Sequence, residues 1–247
     1  MAEQLLDFGG KEVLVVGGSS GIGNAIAQAF RRQDANVHVW GTRAGAESYV
    51  DEPGSDFNGL RYRGVDVTSD DEVARGAETL PCLDVLILSQ GIVRYRKREF
   101  DIVEFDEVIA VNLVSMMRCA VAFKDKLVTR RGSVIVIGST AMFRSTMGNP
   151  GYSASKAGLV GLTRSLGDAW VREGVRVNAV APGMVATKLT GATTGNPDRL
   201  SRMVERIPSG RLAAATEIAG AALFLASPLA SYVVGEVIIV DGGLTLG

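Results

Sequence analysis

The 247-residue sequence predicts one α/β domain built on a doubly wound sheet of seven parallel strands flanked by helices. Short β-rich runs alternate with amphipathic helical stretches along the chain. Several of these runs are apolar almost throughout, which is typical of parallel strands covered by helices on both faces. Because no Pro/Ser-rich linker or repeat divides the chain, we expect a single domain over residues 1–247.

Each element is predicted from its residue pattern. Runs rich in β-branched and aliphatic residues predict seven strands, at Val13–Val16, Val37–Trp40, Leu60–Val65, Val85–Leu88, Val134–Ile137, Val175–Val180 and Val237–Val240. Helical periodicity predicts five helices between them, at Ile22–Arg32, Asp70–Thr79, Phe105–Leu127, Ser153–Arg172 and Glu217–Ala226. The longest segment without clear periodicity runs from Pro182 to Arg211, and it predicts a substrate lid at residues 184–210 because long loops in compact domains are usually functional.

The composition argues against several kinds of partner. The chain has 26 Lys+Arg and 27 Asp+Glu, a formal charge of −1, so neither nucleic acid nor an anionic membrane is expected to bind. No apolar run approaches the roughly 18 residues that a membrane span requires. The opening Met1 to Asp7 lacks the basic region of a signal peptide. We therefore expect a cytoplasmic protein that acts on small molecules.

The few cysteines and histidines limit the chemistry. Cys82 and Cys119 are isolated, and with His38 as the single histidine no metal site is expected. A Ser-His-Asp or Cys-His mechanism would have to use His38, which lies inside a predicted strand. The acid or base should therefore be Tyr, Lys, Asp or Glu.

A glycine-rich turn follows the first strand. The run Gly17-Gly18-Ser19-Ser20-Gly21-Ile22-Gly23 lies between that strand and a helix, which is the order found in dinucleotide sites. We expect Gly17 to permit the tight turn, Gly21 to let the backbone approach a pyrophosphate, and Gly23 to let helix pack on strand. A ligand-free glycine turn is the alternative, and the position after the first strand favours cofactor binding.

A phenol and an ammonium group lie one helical turn apart in the run Tyr152-Ser153-Ala154-Ser155-Lys156. A phenol with a pKa of about 10 transfers protons poorly near neutrality unless a positive charge stabilises the phenolate. Lys156 would supply that charge. An exposed Tyr and Lys at a helix start is the alternative interpretation.

Together these motifs resemble the short-chain dehydrogenase/reductase family, from Gly17 to the run Val240-Asp241-Gly242-Gly243 near the C-terminus. The Tyr-x-x-x-Lys pair has Ser139 thirteen residues upstream, at the end of a predicted strand, and Asn112 lies in the family's asparagine position. This combination is more specific than any one of its motifs.

The resemblance implies a catalytic role for four residues. Tyr152 would be the general acid in reduction and the base in oxidation. Lys156 would lower the pKa of Tyr152 and hold the nicotinamide ribose. Ser139 would orient the substrate oxygen, and Asn112 would hold a water that links Lys156 to solvent. Hydride would move directly between nicotinamide and the substrate carbon.

The resemblance also implies further cofactor contacts. Asp66-Val67 would bind the adenine edge, Ser89 and Gly91 follow the fourth strand, and Pro182-Gly183-Met184-Val185-Ala186-Thr187 resembles the segment that contacts the nicotinamide amide. Asp66 could instead be a turn acid, and Pro182-Gly183 only a strand exit. The sequence departs from the family at Val16, usually threonine, and at Leu88-Ser89-Gln90-Gly91, where Asn-Asn-Ala-Gly is typical.

The end of the second strand bears on the choice of cofactor. NAD sites place an acid there that binds the ribose hydroxyls and repels a 2′-phosphate. Here Gly41 occupies that position and Thr42 and Arg43 follow, so a planar cation is available for the phosphate. We therefore expect NADP(H), with NAD(H) possible and with a solvent-facing Arg43 as the alternative.

The sequence leaves the substrate open. We expect a carbonyl reductase or alcohol dehydrogenase. The family resemblance and the long apolar-striped helices Phe105–Leu127 and Ser153–Arg172, which could pair across a two-fold axis, imply a homo-oligomer that we expect to be a tetramer. A 3-oxoacyl-thioester reductase is an alternative, because the basic run Arg94-Tyr95-Arg96-Lys97-Arg98 could dock a phosphate-bearing carrier, although it could equally be a solvated loop or a subunit contact. A catalytically silent nucleotide sensor is a third possibility, which the four catalytic residue types argue against.

Overall fold

The structure, a computed structural model, describes residues 6–247. Within them one parallel sheet has the strand order β3-β2-β1-β4-β5-β6-β7. Its strands are β1 (Glu12–Val16), β2 (Asn36–Gly41), β3 (Arg61–Gly64), β4 (Val85–Leu88), β5 (Ser133–Ile137), β6 (Arg176–Pro182) and β7 (Val237–Val240). The predicted doubly wound fold is confirmed. The interpretation of Met1 to Asp7 lies largely outside the described residues.

Helices cover both faces of this sheet. They are α1 (Gly21–Arg31), α2 (Asp70–Glu78), α3 (Ile102–Ile109), α4 (Ser115–Arg130), α5 (Pro150–Trp170), α6 (Gly191–Thr194), α7 (Pro197–Glu205) and α8 (Ala215–Ala226). Apolar side chains alternate along β1, so that Leu14 and Val16 join one buried cluster while Val13 and Val15 join another. The sheet is thus buried on both faces, which explains why its strands read as nearly continuous apolar runs.

The predicted helix Phe105–Leu127 is helical throughout and contains one π-helical turn. A π-helical turn at Ala110–Val114 separates α3 from α4. Asn112 in this turn is fully buried and binds both backbone groups of Ile92, while the Ser115 hydroxyl donates to the Val111 carbonyl at 2.6 Å. Single π-helical turns of this kind are frequent at functional sites.

The predicted lid segment contains helices that its sequence pattern does not reveal. Both α6 and α7 lie within residues 184–210. Asn196 caps α7 by accepting a hydrogen bond from the Arg199 amide at 3.0 Å, and Pro197 occupies its first position. Local capping therefore starts this helix, although no residue of α7 is buried.

The connection from β2 to β3 has no α-helix and folds back over the glycine-rich turn. Its one helical piece is a short 3₁₀ helix at Ala46–Tyr49. The Gly54 carbonyl accepts from the Gly21 amide at 3.0 Å, and the Ser55 hydroxyl donates to the Ser19 carbonyl at 2.7 Å. The connection therefore forms one wall beside the turn.

Three of the features predicted from the sequence concern membrane spans, metal clusters and the single histidine. None of the helices in residues 6–247 is long and apolar enough to cross a membrane, and that part of the chain contains no cluster of His, Cys, Asp and Glu suited to a metal ion. His38 lies on β2, with Nε2 2.9 Å from Glu12 Oε2 on β1.

Candidate active site

A cavity of about 450 Å³ lies at the carboxyl ends of β1 and β4, where the strand order reverses. This is the position at which doubly wound sheets bind their ligands. Its lining includes most of the residues that the sequence predicts for the site: Gly17, Ser19, Ser20, Gly21, Ile22, Gly23, Thr42, Asp66, Val67, Ser89, Gly91, Tyr152, Lys156 and Thr187.

The glycine-rich turn has the close backbone approaches expected of a phosphate cradle. Gly17 has φ +76°, and a Cβ there would lie 2.6 Å from the Gln90 amide nitrogen. A Cβ on Gly23 would collide with the Gly17 carbonyl. These residues fit a dinucleotide. The Gly21 amide donates to the Gly54 carbonyl in this structure, and the approach of the Gly21 backbone to a pyrophosphate stays a prediction.

Tyr152 and Lys156 meet at the cavity from the first two turns of α5. The Lys156 side chain is almost fully buried, and its Nζ lies 5.7 Å from the centroid of the Tyr152 ring. The same Nζ donates to the Ile137 carbonyl at 3.2 Å, at the end of β5. The predicted helical face therefore brings the phenol and the ammonium together.

Burial governs the protonation of both groups. Burial raises the pKa of Tyr152, and hydrogen bonding to the Ser139 hydroxyl partly offsets this effect. Burial lowers the pKa of Lys156 to about 8 because the charged form loses its hydration. At neutral pH the phenol is protonated and most of the lysine is charged. The arrangement can therefore donate a proton from Tyr152.

Ser139 and Asn112 lie beside this pair. Ser139 follows β5, and its hydroxyl also accepts from the Ala141 amide at 3.1 Å. A Cβ on Gly91 would lie 3.5 Å from Asn112 Oδ1 and 3.6 Å from Lys156 Nζ, so Asn112 and Lys156 approach each other around this glycine. Of the four predicted catalytic residues, Tyr152 and Lys156 line the cavity, whereas Ser139 and Asn112 lie next to this pair and outside the cavity lining.

The Asn112 side chain has several partners within the protein. Its Oδ1 accepts from the Ile92 amide at 2.7 Å. Its Nδ2 donates to the Ile92 carbonyl at 2.9 Å and to the Ser155 hydroxyl at 3.2 Å. Asn112 thus ties the loop after β4 to α5, and a water relay through it stays a prediction.

Four predicted cofactor residues do not line the cavity: Arg43, Pro182, Gly183 and Val185. Gly183 packs against Asp241, and Val185 is buried in the core. The Arg43 guanidinium stacks on the Tyr49 ring at 4.3 Å and pairs with Glu52. A Cβ on Gly41 would lie 2.9 Å from the hydroxyls of Tyr49 and Tyr62, so these rings fill the space where NAD sites place an acid.

Several residues near the site escape the sequence analysis. Gln90 donates to the Ser115 hydroxyl at 3.0 Å and so joins the end of β4 to the π-helical turn. Its position beside Ser89, in the unusual run after β4, was the available signal. Glu52 joins Arg43 to Lys188 of the lid segment, with Lys188 Nζ 2.9 Å from Glu52 Oε1. No sequence pattern marks Glu52.

The basic run after β4 is partly neutralised. Arg94 pairs with Glu104 and Glu107, and Arg98 also pairs with Glu104. The Tyr95 hydroxyl donates to the Leu189 carbonyl of the lid segment at 2.6 Å. This run therefore presents less free positive charge than its composition indicates.

Known reductases and dehydrogenases are similar to this chain in sequence or fold, in agreement with the cavity described above. A family model described as enoyl-(acyl carrier protein) reductase matches residues 16–245. The chain is 36% identical over 248 residues to the 3-oxoacyl-[acyl-carrier-protein] reductase FabG of Salmonella typhimurium (strain LT2), covering 97% of this chain and 99% of that protein.

Two solved structures have the same fold along their whole length. A putative NAD(P)-dependent gluconate 5-dehydrogenase from Beutenbergia cavernae, with bound NADP at low occupancy, has a TM-score of 0.89 at 34% identity, covering 98% of this chain and 100% of that one. A gluconate 5-dehydrogenase from Burkholderia cenocepacia J2315, in complex with NADP and tartrate, has a TM-score of 0.90 at 25% identity and covers both chains completely.

The fold, the cavity and these matches define a class of protein: the chain belongs to the short-chain dehydrogenase/reductase family. It is an NAD(P)-dependent oxidoreductase that transfers hydride between the cofactor and a carbonyl or alcohol. The resemblance inferred from the sequence is confirmed.

Proposed function

We propose that this enzyme uses NADP(H) to interconvert a small-molecule ketone and its alcohol, with Tyr152 as the proton donor in reduction. The observation that carries the proposal is that Tyr152 and Lys156 line one cavity with the glycine-rich turn, with the Ser139 hydroxyl beside the phenol. When bound, NADPH supplies the hydride that adds to the carbonyl carbon. The Tyr152 hydroxyl gives its proton to the carbonyl oxygen, and the product is the alcohol.

The neighbouring side chains support this proton transfer. Ser139 stands close enough to bond the phenol and to orient the substrate oxygen. The Lys156 ammonium, held by the Ile137 carbonyl, stabilises negative charge that develops on the phenol oxygen. Asn112 holds the loop after β4 in place beside Lys156.

NADP(H) is the cofactor that the chain and its relatives support. Gly41 replaces the acid that would repel a 2′-phosphate, and Thr42 opens onto the cavity beside it. The two gluconate 5-dehydrogenases were solved with NADP. Arg43 lies next in sequence, and we propose that it turns from Glu52 to the phosphate when the cofactor binds.

The segment 184–210 serves as the substrate lid in this proposal. Thr187, Lys188 and Leu189 already line the cavity, and Tyr95 contacts Leu189 from the opposite rim. None of the residues of α7 in the outer part of this segment is buried, which suits a closing motion.

A 3-oxoacyl thioester is the second candidate substrate. The observation that favours it is 36% identity over nearly the whole chain to a 3-oxoacyl-[acyl-carrier-protein] reductase. The internal pairing of Arg94 and Arg98 weakens the argument from the basic run, so we favour a free small molecule.

We also propose that the enzyme is a homotetramer. The surface around α3 and α4 exposes large apolar side chains, among them Ile102, Val103, Met117 and Val121. Apolar stripes of this kind on long helices are suited to pairing across a two-fold axis.

Absorbance at 340 nm with a panel of ketones, sugar acids and 3-oxoacyl thioesters identifies the substrate class. Tyr152→Phe should keep NADPH binding and fold but lower kcat by about 10²–10⁴-fold, because it removes the proton donor and keeps the ring. Tyr232→Phe, at a fully exposed tyrosine, is the matched control and should keep wild-type activity. Near wild-type turnover in Tyr152→Phe would contradict the mechanism.

A further inference from the structure

Glu99 is a buried carboxylate that contacts the first turn of α5, the helix that carries Tyr152. We propose that Glu99 is a positioning residue for Tyr152. The proposal rests on the role of Tyr152 as proton donor. Glu99 is 1% exposed and lies in the short 3₁₀ helix Arg98–Phe100, in the loop that precedes α3.

Backbone and side-chain amides surround this carboxylate. Glu99 Oε2 accepts from the Tyr152 backbone amide at 2.8 Å. Oε1 accepts from the Arg94 amide at 2.9 Å and from Asn149 Nδ2 at 3.2 Å. A charged group persists in such a buried place only when hydrogen bonds replace its hydration, and these three donors do so.

The contact with Tyr152 completes the amino-terminal turn of α5. The first amides of a helix have no partner inside the helix. Pro150 has no amide hydrogen to offer, and Asn149 at the N-cap makes no capping bond with its side chain. Instead Asn149 Nδ2 donates to Glu99 and to the Arg94 carbonyl. Glu99 thus caps the helix from another part of the chain, where the helix dipole favours a negative charge.

The loop before Glu99 is shaped to turn this residue inward. Arg96 and Lys97 both have φ +61°, a left-handed conformation that non-glycine residues adopt rarely and at a cost. On the other side of the contact, a Cβ on Gly151 would lie 3.4 Å from Glu99 Oε2, which shows how closely the carboxylate approaches the first turn of α5. The left-handed backbone at Arg96 and Lys97 therefore accompanies a close approach of Glu99 to α5.

Glu99 acts on Tyr152 by placement and by charge. Glu99 Oε2 holds the Tyr152 amide and so fixes the Cα from which the phenol extends. It fixes this Cα relative to the loop after β4, which also contains Ile92, the hydrogen-bond partner of Asn112. Burial is the main cause that raises the pKa of Tyr152, and the nearby negative charge of Glu99 adds to it. The carboxylate thereby helps to keep the phenol protonated until the substrate oxygen takes the proton.

The test is Glu99→Gln, which keeps the side chain's shape. The one carbonyl oxygen of Gln satisfies two donors when it faces Arg94 and Asn149, and its amide group then meets the Tyr152 amide, so the contact with the helix is lost. We expect kcat for reduction to fall by about tenfold to a hundredfold, as for a reacting group displaced by about 1 Å, with the KM for NADPH nearly unchanged. We also expect Tyr152 to titrate at lower pH, followed by NMR of ¹³Cζ-labelled tyrosine and assigned with Tyr152→Phe.

Glu104→Gln is the matched control, because it removes a nearby negative charge that pairs with Arg94 and Arg98 and has no hydrogen bond or ion pair with α5 among residues 6–247. It should keep both kcat and the Tyr152 titration. Wild-type kcat in Glu99→Gln, or a loss of kcat without a change in the titration, would overturn the proposal. If Glu99→Gln does not fold, Glu99→Asp keeps the charge but is too short to reach all three donors, and wild-type kcat in that variant would overturn it.

These measurements distinguish failure of the proposed proton transfer from failure of the role of Glu99. Activity in Tyr152→Phe would overturn the proposed chemistry, whereas the NMR titration would still report whether Glu99 acts on Tyr152. An inactive Tyr152→Phe together with a wild-type Glu99→Gln would overturn only the role of Glu99.

Discussion

Replacing Arg43 tests how the enzyme recognises the 2′-phosphate of NADPH. In the structure the Arg43 guanidinium pairs with Glu52 and stacks on Tyr49, with 38% of its side chain exposed. We expect it to swing to the phosphate on binding, since an arginine binds phosphate through two parallel hydrogen bonds. Glu52 would keep a counter-ion during this exchange, because Lys188 Nζ lies 2.9 Å from its Oε1.

The expected change in the KM for NADPH follows from the contacts that Arg43 gains with the phosphate and gives up with Glu52. A hydrogen bond to a charged group contributes about 1.5–3 kcal/mol. The partly exposed pair with Glu52 is given up in exchange, which places the net effect near the lower end of that range. Since about 1.4 kcal/mol is tenfold in affinity, Arg43→Ala should raise the KM for NADPH by roughly tenfold and leave the KM for NADH almost unchanged. Glu52→Gln should act in the opposite direction and lower the KM for NADPH, because it releases Arg43.

The assay is steady-state absorbance at 340 nm with each cofactor varied at a fixed ketone concentration and low ionic strength. Arg172→Ala is the control, because Arg172 is an exposed arginine after the end of α5 that does not line the cavity. Equal losses with NADPH and NADH in Arg43→Ala would refute the role of Arg43. A wild-type kcat/KM that favours NADH would refute the cofactor preference itself.

Two further predictions concern pH and assembly. Burial lowers the pKa of Lys156 to about 8, so its ammonium form is present below that pH and lost above it. We therefore expect kcat/KM for reduction to fall as the pH rises through about 8. A profile that stays flat from neutrality to well above this value would contradict the role of Lys156. Light scattering at micromolar concentration should give the mass of a tetramer. Val121→Glu, on the exposed apolar surface of α4, should lower the measured mass. A monomeric wild-type protein would contradict the proposed assembly.

The parts of the fold that the sequence predicts well are those set by local pattern. The strands follow from apolar runs such as Val85–Leu88, which need no knowledge of their neighbours. The π-helical turn between α3 and α4 does not, because the apolar period runs through it. That turn accompanies the hydrogen bonds between Asn112 and Ile92, twenty residues earlier in the chain, and such a contact leaves no trace in helical periodicity.

The same distinction explains the site. Tyr152 and Lys156 share a helix face, so their spacing predicts their meeting. Arg43 shows the limit of such reasoning, because its orientation depends on Glu52. That residue lies in a connection without an α-helix and also pairs with Lys188 of the lid segment. Glu99 shows it more strongly. In the sequence it is one acid beside a basic run, and a solvated surface residue is what that pattern favours. The left-handed backbone at Arg96 and Lys97 and the hydrogen bonds of Glu99 to Asn149 and Tyr152 place it against α5, and these features lie in two separate segments of the chain. The meeting of Tyr152 and Lys156 can thus be predicted from local spacing, and the roles of Ser139 and Asn112 from the resemblance to the family. The residues that orient the site depend instead on contacts between segments, and substitution at Glu52 and Glu99 should separate orientation from chemistry.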